Sequence, residues 1–301
     1  MIARQFLRWV LGFVVTFVVA CVVAFFSQSA YAQNAAADAE VKAAFDEAKK
    51  VMRQGPAEIK MIDQAVLNLP AGQVFIPMPE AGRIMRAMGN SSDPSLLGAI
   101  FPEEGHWMIV ARYQKSGYIK DDDARDWNAD DLLKSLKDGT EEGNKDRRQR
   151  GIRELELVGW AEKPNYEAPT HRLVWSAITK GKQDGNDKQG VNYNTYALGR
   201  EGYISMNLVT ALNELPQQKS IAKNLLGQLQ FLDGKRYSDF NSSTDKVAEY
   251  GLAALVAGVA VKKLGLLAII AAFFAKSIKL VLVAVVGLGA LVGKLFGRNK
   301  A

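Results

Sequence analysis

Short apolar runs bounded by glycine, proline and polar residues fill the middle of this chain: Ala65–Leu69, Val74–Ile76, Trp107–Tyr113, Glu154–Trp160, His171–Thr179, Val191–Leu198 and Tyr203–Leu208. Runs this short, rich in β-branched and aromatic residues, predict strands. Pro70-Ala71-Gly72 and the Gly-rich stretch Lys180–Gly190 separate neighbouring runs as hairpin turns do, so the strands are expected to pair antiparallel. Three stretches switch to helical spacing. Glu80–Met88 is short. Ala129–Arg150 follows a capping Asn128 and carries Leu132, Leu133 and Leu136 on one face. Gln217–Leu229 stands behind Pro216, with Ile221, Leu225, Leu226 and Leu229 periodic. Ahead of them, Val41, Ala44, Phe45, Ala48, Val51 and Met52 repeat at helical spacing, predicting an N-terminal amphipathic helix within residues 33–54 that Gln54-Gly55-Pro56 ends. Strand runs with segregated helices predict an α+β domain over residues 55–240, built on a largely antiparallel sheet. No internal repeat is present.

Both ends of the chain have a different pattern. Arg4 and Arg8 precede an uncharged, mostly apolar run from Trp9 to Phe26, followed by Ser27-Gln28-Ser29 and Ala30-Tyr31-Ala32. A charged n-region, an apolar h-region and small residues at Ala30 and Ala32 predict a signal peptide over residues 1–32, with an uncleaved anchor as the alternative. Cys21 superficially resembles a lipoprotein signal, but the apolar Val22–Phe26 behind it argues against that. Cleavage after Ala32 would leave no cysteine, excluding disulfides, thiol catalysis and Cys-ligated zinc.

Asn241-Ser242-Ser243-Thr244 is expected as a polar linker, within residues 241–249, that caps the helix after it. Residues 250–301 then form a hydrophobic tail without an acidic residue: Gly251–Val261, Leu264–Ala275 and Leu280–Val292, separated by Lys262-Lys263 and by Lys276-Ser277-Ile278-Lys279. Leu280–Phe296 would reach about 25 Å as a helix, slightly short of a ~30 Å hydrocarbon core. Snorkelling by Lys279 and Lys294 would cover the difference, with Arg298 and Lys300 on the cytoplasmic side. One span preceded by a helix along the interface is the expectation, because Lys262 and Lys263 would sit near mid-membrane in a second span at roughly +2.5–3.5 kcal/mol each. A two-span hairpin bending at Lys276 and Lys279 is the competitor. The expected place is the bacterial inner membrane, with the main domain periplasmic and the lipid bilayer and another envelope protein as candidate partners.

Net charge changes the picture only when it is located. The chain is +6 overall, but two basic residues precede Gln33 and seven follow Glu249, leaving 29 basic against 32 acidic residues between them, a formal −3. The surplus belongs to the apolar ends, so nucleic-acid binding is not expected.

Several motifs together carry a resemblance: Lys120-Asp121-Asp122-Asp123-Ala124, Ala129–Leu136, Gly159-Trp160 with Pro164-Asn165-Tyr166, Arg172-Leu173-Val174-Trp175, and Asn192-Tyr193-Asn194-Thr195-Tyr196-Ala197-Leu198-Gly199-Arg200-Glu201-Gly202. Across about residues 50–296 the chain resembles the bacterial family known as domain of unknown function 2167, predicted membrane-anchored proteins. The resemblance implies a signal sequence, an exported domain and C-terminal hydrophobic helices. It implies no reaction, ligand, cofactor or catalytic residue.

Candidate chemistry is sparse. Only His106 and His171 offer imidazole, and no Gly-x-Ser-x-Gly elbow is present. Asp121, Asp122, Asp123, Asp126, Asp130 and Asp131 gather carboxylates that suit a hard cation, though their spacing is not an EF-hand's and Asp130 and Asp131 equally suit a helix N-terminus. Lys145, Arg147, Arg148, Arg150 and Arg153 form a basic run that reads as a lipid contact or as a solvated helix face. Asn192, Tyr193, Tyr196 and Arg200, with Trp160 and Trp175, are candidates for lining a ligand groove, against a bland reading of core aromatics and an Arg200 ion pair. The leading expectation is a non-enzymatic binding module. Its competitors are an envelope enzyme using a histidine with carboxylates of Asp121–Asp131, and a regulatory domain on a membrane-perturbing tail.

Overall fold

The computed structural model describes residues 39–125 and 127–257. Its element order is helix α1 (residues 39–48), β1 (Arg53–Gln54), β2 (Ala57–Met61), β3 (Ala65–Leu69), β4 (Gln73–Pro77), α2 (Glu80–Ala87), β5 (Leu96–Pro102), β6 (Met108–Gln114), α3 (Ala129–Gln149), β7 (Leu155–Glu167), β8 (Arg172–Gly181), β9 (Gly190–Leu198), β10 (Tyr203–Ala211), α4 (Leu215–Gln228), β11 (Leu229–Phe231) and α5 (Leu252–Ala257). Eight strands form one antiparallel sheet in the order β1-β4-β5-β6-β10-β9-β8-β7, and β11-β3-β2 form a second, smaller sheet. This is an α+β fold.

Side-chain alternation along the strands assigns each face of the large sheet its own cover. Phe75, Ile100, Ile109, Ala111, Ile204, Met206 and Leu208 point to one face, where Leu67 and Leu69 of the small sheet and Leu225 and Leu226 of α4 close a core. The opposite face is shared by two helix pairs. Over β4 to β6, α1 and α2 bury Ala48, Ile84 and Met85 against Ile76, Ala99 and Val110. Over β7 to β9, α3 and α5 bury Leu132, Leu136, Leu252 and Val256 against Leu173, Trp175, Tyr196 and Leu198.

Local chemistry explains where elements begin. The Asn128 side chain accepts from the backbone N–H of Asp130 (2.8 Å) and of Asp131 (3.3 Å), satisfying donors that the first turn of α3 leaves free. Farther along, the buried Asn144 amide donates to Leu155 O and accepts from Leu155 N, so α3 is pinned to the start of β7. Pro216 sits in the first turn of α4, where its missing N–H costs nothing.

Three expectations change. The helical residues stop at 48, and Arg53–Gln54 pair with β4 instead of continuing the helix. β2, β5 and β11 are additional strands, and Leu229 belongs to β11 instead of ending α4. Thr244 lies too far before α5 to cap it; Asp123 does so, its two carboxylate oxygens each 3.0 Å from the backbone nitrogens of Leu252 and Ala253. The Asn241–Thr244 stretch is a turn of its own, in which Asn241 Oδ1 accepts from Ser243 N and Oγ. Among the described residues no helix is long and apolar enough to cross a membrane. The leader with Ala30 and Ala32, Asp126, and the tail with Lys279, Lys294, Arg298 and Lys300 lie outside the described residues.

Candidate functional site

Two concave, chemically distinct places lie on the face of the sheet covered by α1, α2, α3 and α5. The larger is an open groove of about 930 Å³ at the end of β6 and β10, beside α1. Its walls are mainly apolar: Phe45 from α1, Met52, Met88, Phe101, Trp107 and Met108. Phe45 and Phe101 pack edge to face at 5.2 Å, which fixes α1 as one wall. Gly105, at φ +124°, bends the chain between β5 and β6 as a side-chain-bearing residue would not do without strain, and this brings His106 and Trp107 to the groove. Lys49, Gln54, Glu103, His106 and Thr210 are the polar side chains there. Met52 and Met88 are 37% and 41% exposed, so apolar surface faces water at the rim.

The smaller place, about 260 Å³, is lined by Asp121, Asp122, Arg125, Trp127, Asn165 and Tyr166. Here the competing expectation gains its geometry, because the β7–β8 hairpin carries His171 to Asp121. Tyr166 Oη donates to Asp121 Oδ2 (2.7 Å) and lies 3.1 Å from His171 Nδ1, while Nδ1 is 3.8 Å from Asp121 Oδ2. Since the one phenolic proton goes to the carboxylate, Nδ1 must carry the proton toward Tyr166, which leaves the Nε2 lone pair free. His171 stacks on Tyr237 at 4.0 Å, and the left-handed backbone at His171 (φ 51°) sets the ring there. Burial pushes the His171 imidazole down, with Asp121 acting the other way. Burial and then the Asp121 hydrogen bond push the Tyr166 phenol far up, so it remains a donor. The trio is a neutral-imidazole arrangement with an orienting Tyr–Asp pair, able to accept a proton at Nε2.

The acidic cluster does not act together. Asp121 serves Tyr166, Asp123 serves the N-terminus of α5, and Asp121 and Asp122 line the pocket. Among the described residues no group of three or more His, Cys, Asp or Glu side chains is placed to hold a metal ion.

The expected groove of Asn192, Tyr193, Tyr196, Arg200, Trp160 and Trp175 is not one surface. Tyr193 and Tyr196 are an odd number of residues apart in one strand, so they leave β9 on opposite faces. Tyr193 is fully buried on the α4 side, whereas Tyr196 packs under α5 and its hydroxyl donates to Leu255 O (3.3 Å). Trp160 and Trp175 form an edge-to-face pair at 5.9 Å, and the Trp160 indole N–H donates to Ala129 O (3.1 Å). Arg200 forks onto Asp245 at 2.7 and 2.8 Å, and Asn192 is exposed. The bland reading of these residues fits the geometry. The basic run likewise pairs locally, with Arg148 on Glu154 (2.6 Å), Lys145 on Glu142 (2.5 Å) and Arg153 on Asp184 (2.6 Å).

Comparison with known proteins adds a family and little else. The family described as protein of unknown function (DUF2167) matches residues 53–289, and the chain belongs to it. No curated protein matches. A solution structure of cyanobacterial PsbP (CyanoP) from Synechocystis sp. PCC 6803 is similar over 60% of this chain and 91% of that one, at 11% identity and a TM-score of 0.36. A likeness so distant carries no argument about function.

Proposed function

We propose that this family member is a membrane-tethered envelope protein whose α+β domain binds a small amphipathic ligand in the groove beside α1. The groove itself carries the reading: about 930 Å³ of concave, mainly apolar surface with a few polar groups, the size and character of a small-molecule site. Aromatic and methionine walls suit an apolar body, and Lys49, Glu103 and His106 suit its polar end. The tether rests on the lysine-flanked apolar run Leu280–Phe296, and export on the leader before Gln33. On this reading the domain stands at the periplasmic face of the inner membrane, supplied with ligand from the bilayer or passing it to an envelope partner.

Trp107 reports on the site. Titrating the purified full-length chain with a long-chain fatty acid should shift tryptophan emission saturably, and Met88→Glu, at an exposed rim position, should abolish the shift without unfolding the protein. A non-saturating response, or one unchanged in Met88→Glu, overturns the reading.

A second reading, an envelope enzyme, is favoured by one observation, the meeting of His171 with Tyr166 and Asp121, the last two of which line the smaller pocket. It predicts turnover of a hydrolysable substrate that disappears in His171→Gln and depends on a group titrating below the usual histidine range. Activity left intact in His171→Gln removes it.

A further inference from the structure

A third concavity, of about 320 Å³, lies on the other flank of α2 from the groove, where the C-terminal half of that helix meets the loop into β5 and the side chain of Arg112 on β6. Met78, Met85 and Leu96 give it an apolar wall, and Arg86, Ser92 and Arg112 face that wall. We propose that this pocket is an anion site which binds the phosphate group of a small phosphorylated ligand through Arg112 and Arg86.

Arg112 is the anchor because of how it is held. Its side chain is only 30% exposed, and Asp93 Oδ2 engages Nε alone, at 2.6 Å. The other Asp93 oxygen accepts from Ser95 N (3.0 Å) and Ser95 Oγ (2.6 Å). Asp93 is therefore spent, and among the described residues neither Nη of Arg112 has a protein acceptor. Guanidinium N–H groups that face a concavity with no protein acceptor favour an anion brought from outside. Arg86 lines the same pocket and has no carboxylate partner among the described residues.

The loop between them is pre-set. Arg150, at the end of α3, donates from Nη1 to Ser91 Oγ (2.9 Å) and from Nη2 to Gly89 O (3.0 Å). Asn90 donates to Met85 O through both its backbone N–H and its side-chain amide. A binding loop already fixed by such contacts loses little entropy when a ligand arrives. Burial raises Asp93, but hydrogen bonds from Ser95 and Arg112 outweigh it and keep the carboxylate ionised. Arg86 and Arg112 line the pocket with Asp93 as its one lining carboxylate, so the lining carries a net positive charge that favours anions, while Arg150 behind Ser91 is shared with Asp146 (3.4 Å). Guanidinium forks match phosphate geometry, and a site with several separate donors suits a tetrahedral oxyanion better than a planar carboxylate. The apolar wall then meets the carbon part of the ester.

The phosphate could come from a soluble ester or from a phospholipid headgroup, and one titration separates the two. The full-length chain, labelled for observation of arginine Nε–H and backbone signals, is titrated at constant ionic strength with inorganic phosphate, glycerol 3-phosphate and a short-chain phosphatidylglycerol, with chloride as control. Saturable shifts confined to residues 85–93 and Arg112 are expected with phosphate or its esters and absent with chloride. Saturation by inorganic phosphate and glycerol 3-phosphate identifies a soluble ester, and saturation by the lipid alone identifies the headgroup. Arg86→Gln should weaken binding about tenfold, as the loss of one charge-assisted hydrogen bond does, and should leave the fold intact. Arg83→Gln, one turn away on α2 and outside the pocket, should leave binding unchanged. Equal losses in Arg86→Gln and Arg83→Gln, or shifts that track ionic strength alone, overturn the proposal.

Discussion

The two halves of the helix-bearing face are built from similar strands and end with different surfaces. Over β7 to β9, the long helix α3 and the start of α5 close on a row of rings, with Trp175 between Trp160 and Tyr196 and with Tyr203 beyond. Over β4 to β6, α1 and α2 leave Phe101, Trp107 and Met108 bordering a groove. Aromatic residues alone therefore do not mark a ligand surface; how far the facing helices cover them decides whether they become core or wall. The closed half should respond to truncation with lost stability, and the open half with lost binding.

The largest effect belongs to the closed half. Trp175 is 7% exposed, and Trp175→Ala should cost about 3–5 kcal/mol, as large aromatic truncations in a packed core do. Denaturant unfolding measures it. A cost within the range of ordinary surface changes would mean that the α3/α5 cover is not a cooperative part of the core.

A smaller loss should follow from Asp123→Ala. The carboxylate caps α5 from across the domain, and removing an N-cap costs about 1 kcal/mol. Asp123→Asn should retain much of that, since an amide oxygen still accepts. Protease nicking within residues 246–257, faster in Asp123→Ala than in Asp123→Asn, would tie the effect to the docking of α5.

The Arg200–Asp245 fork holds the turn before α5 and gives it a pH dependence. The Arg200 hydrogen bonds, with help from Asn241 N–H, hold the Asp245 carboxyl far below the usual carboxylate range. A depressed folded-state value means that the contribution is complete above the unfolded value of ~3.9 and is lost as pH falls below it. Arg200→Gln should therefore flatten the acid limb of the stability profile and change little near neutrality in its shape. An unchanged acid limb would show the fork to be replaceable.

Much of this sheet was legible, and the exceptions have local causes. The runs at Ala65–Leu69, Val191–Leu198 and Tyr203–Leu208 became strands because their periodicity agrees with burial on both faces. β5 did not announce itself, because Gly98 and Ala99 lack β-propensity. The glycine is required there: an added Cβ would stand 2.4 Å from the Phe75 ring and 2.6 Å from Ile76 O. β2 alternates cleanly as Ala-Glu-Ile-Lys-Met and could have been read. So could the divergence of Tyr193 and Tyr196, from their odd spacing alone. The capping of α5 by Asp123 and the meeting of His171 with Asp121 could not, since only the folded chain makes neighbours of such distant positions. The groove was hidden for the same reason, its walls coming from α1, α2, β5 and β6.

The smallest expected change in stability is the one that most sharply separates the two halves. Met88→Glu places a charge at a rim position 41% exposed, where no buried contact is lost, so its unfolding free energy should stay within about 0.5 kcal/mol of the parent. Ligand binding in the groove should nevertheless fail, because a carboxylate would have to be desolvated against an apolar body. Leu136→Ala on the closed side should do the reverse, lowering stability by about 2–5 kcal/mol while leaving groove affinity unaltered in the folded fraction. If both substitutions changed stability and binding together, the groove and the aromatic core would be one cooperative unit, and the extent of helix cover would not be what distinguishes them.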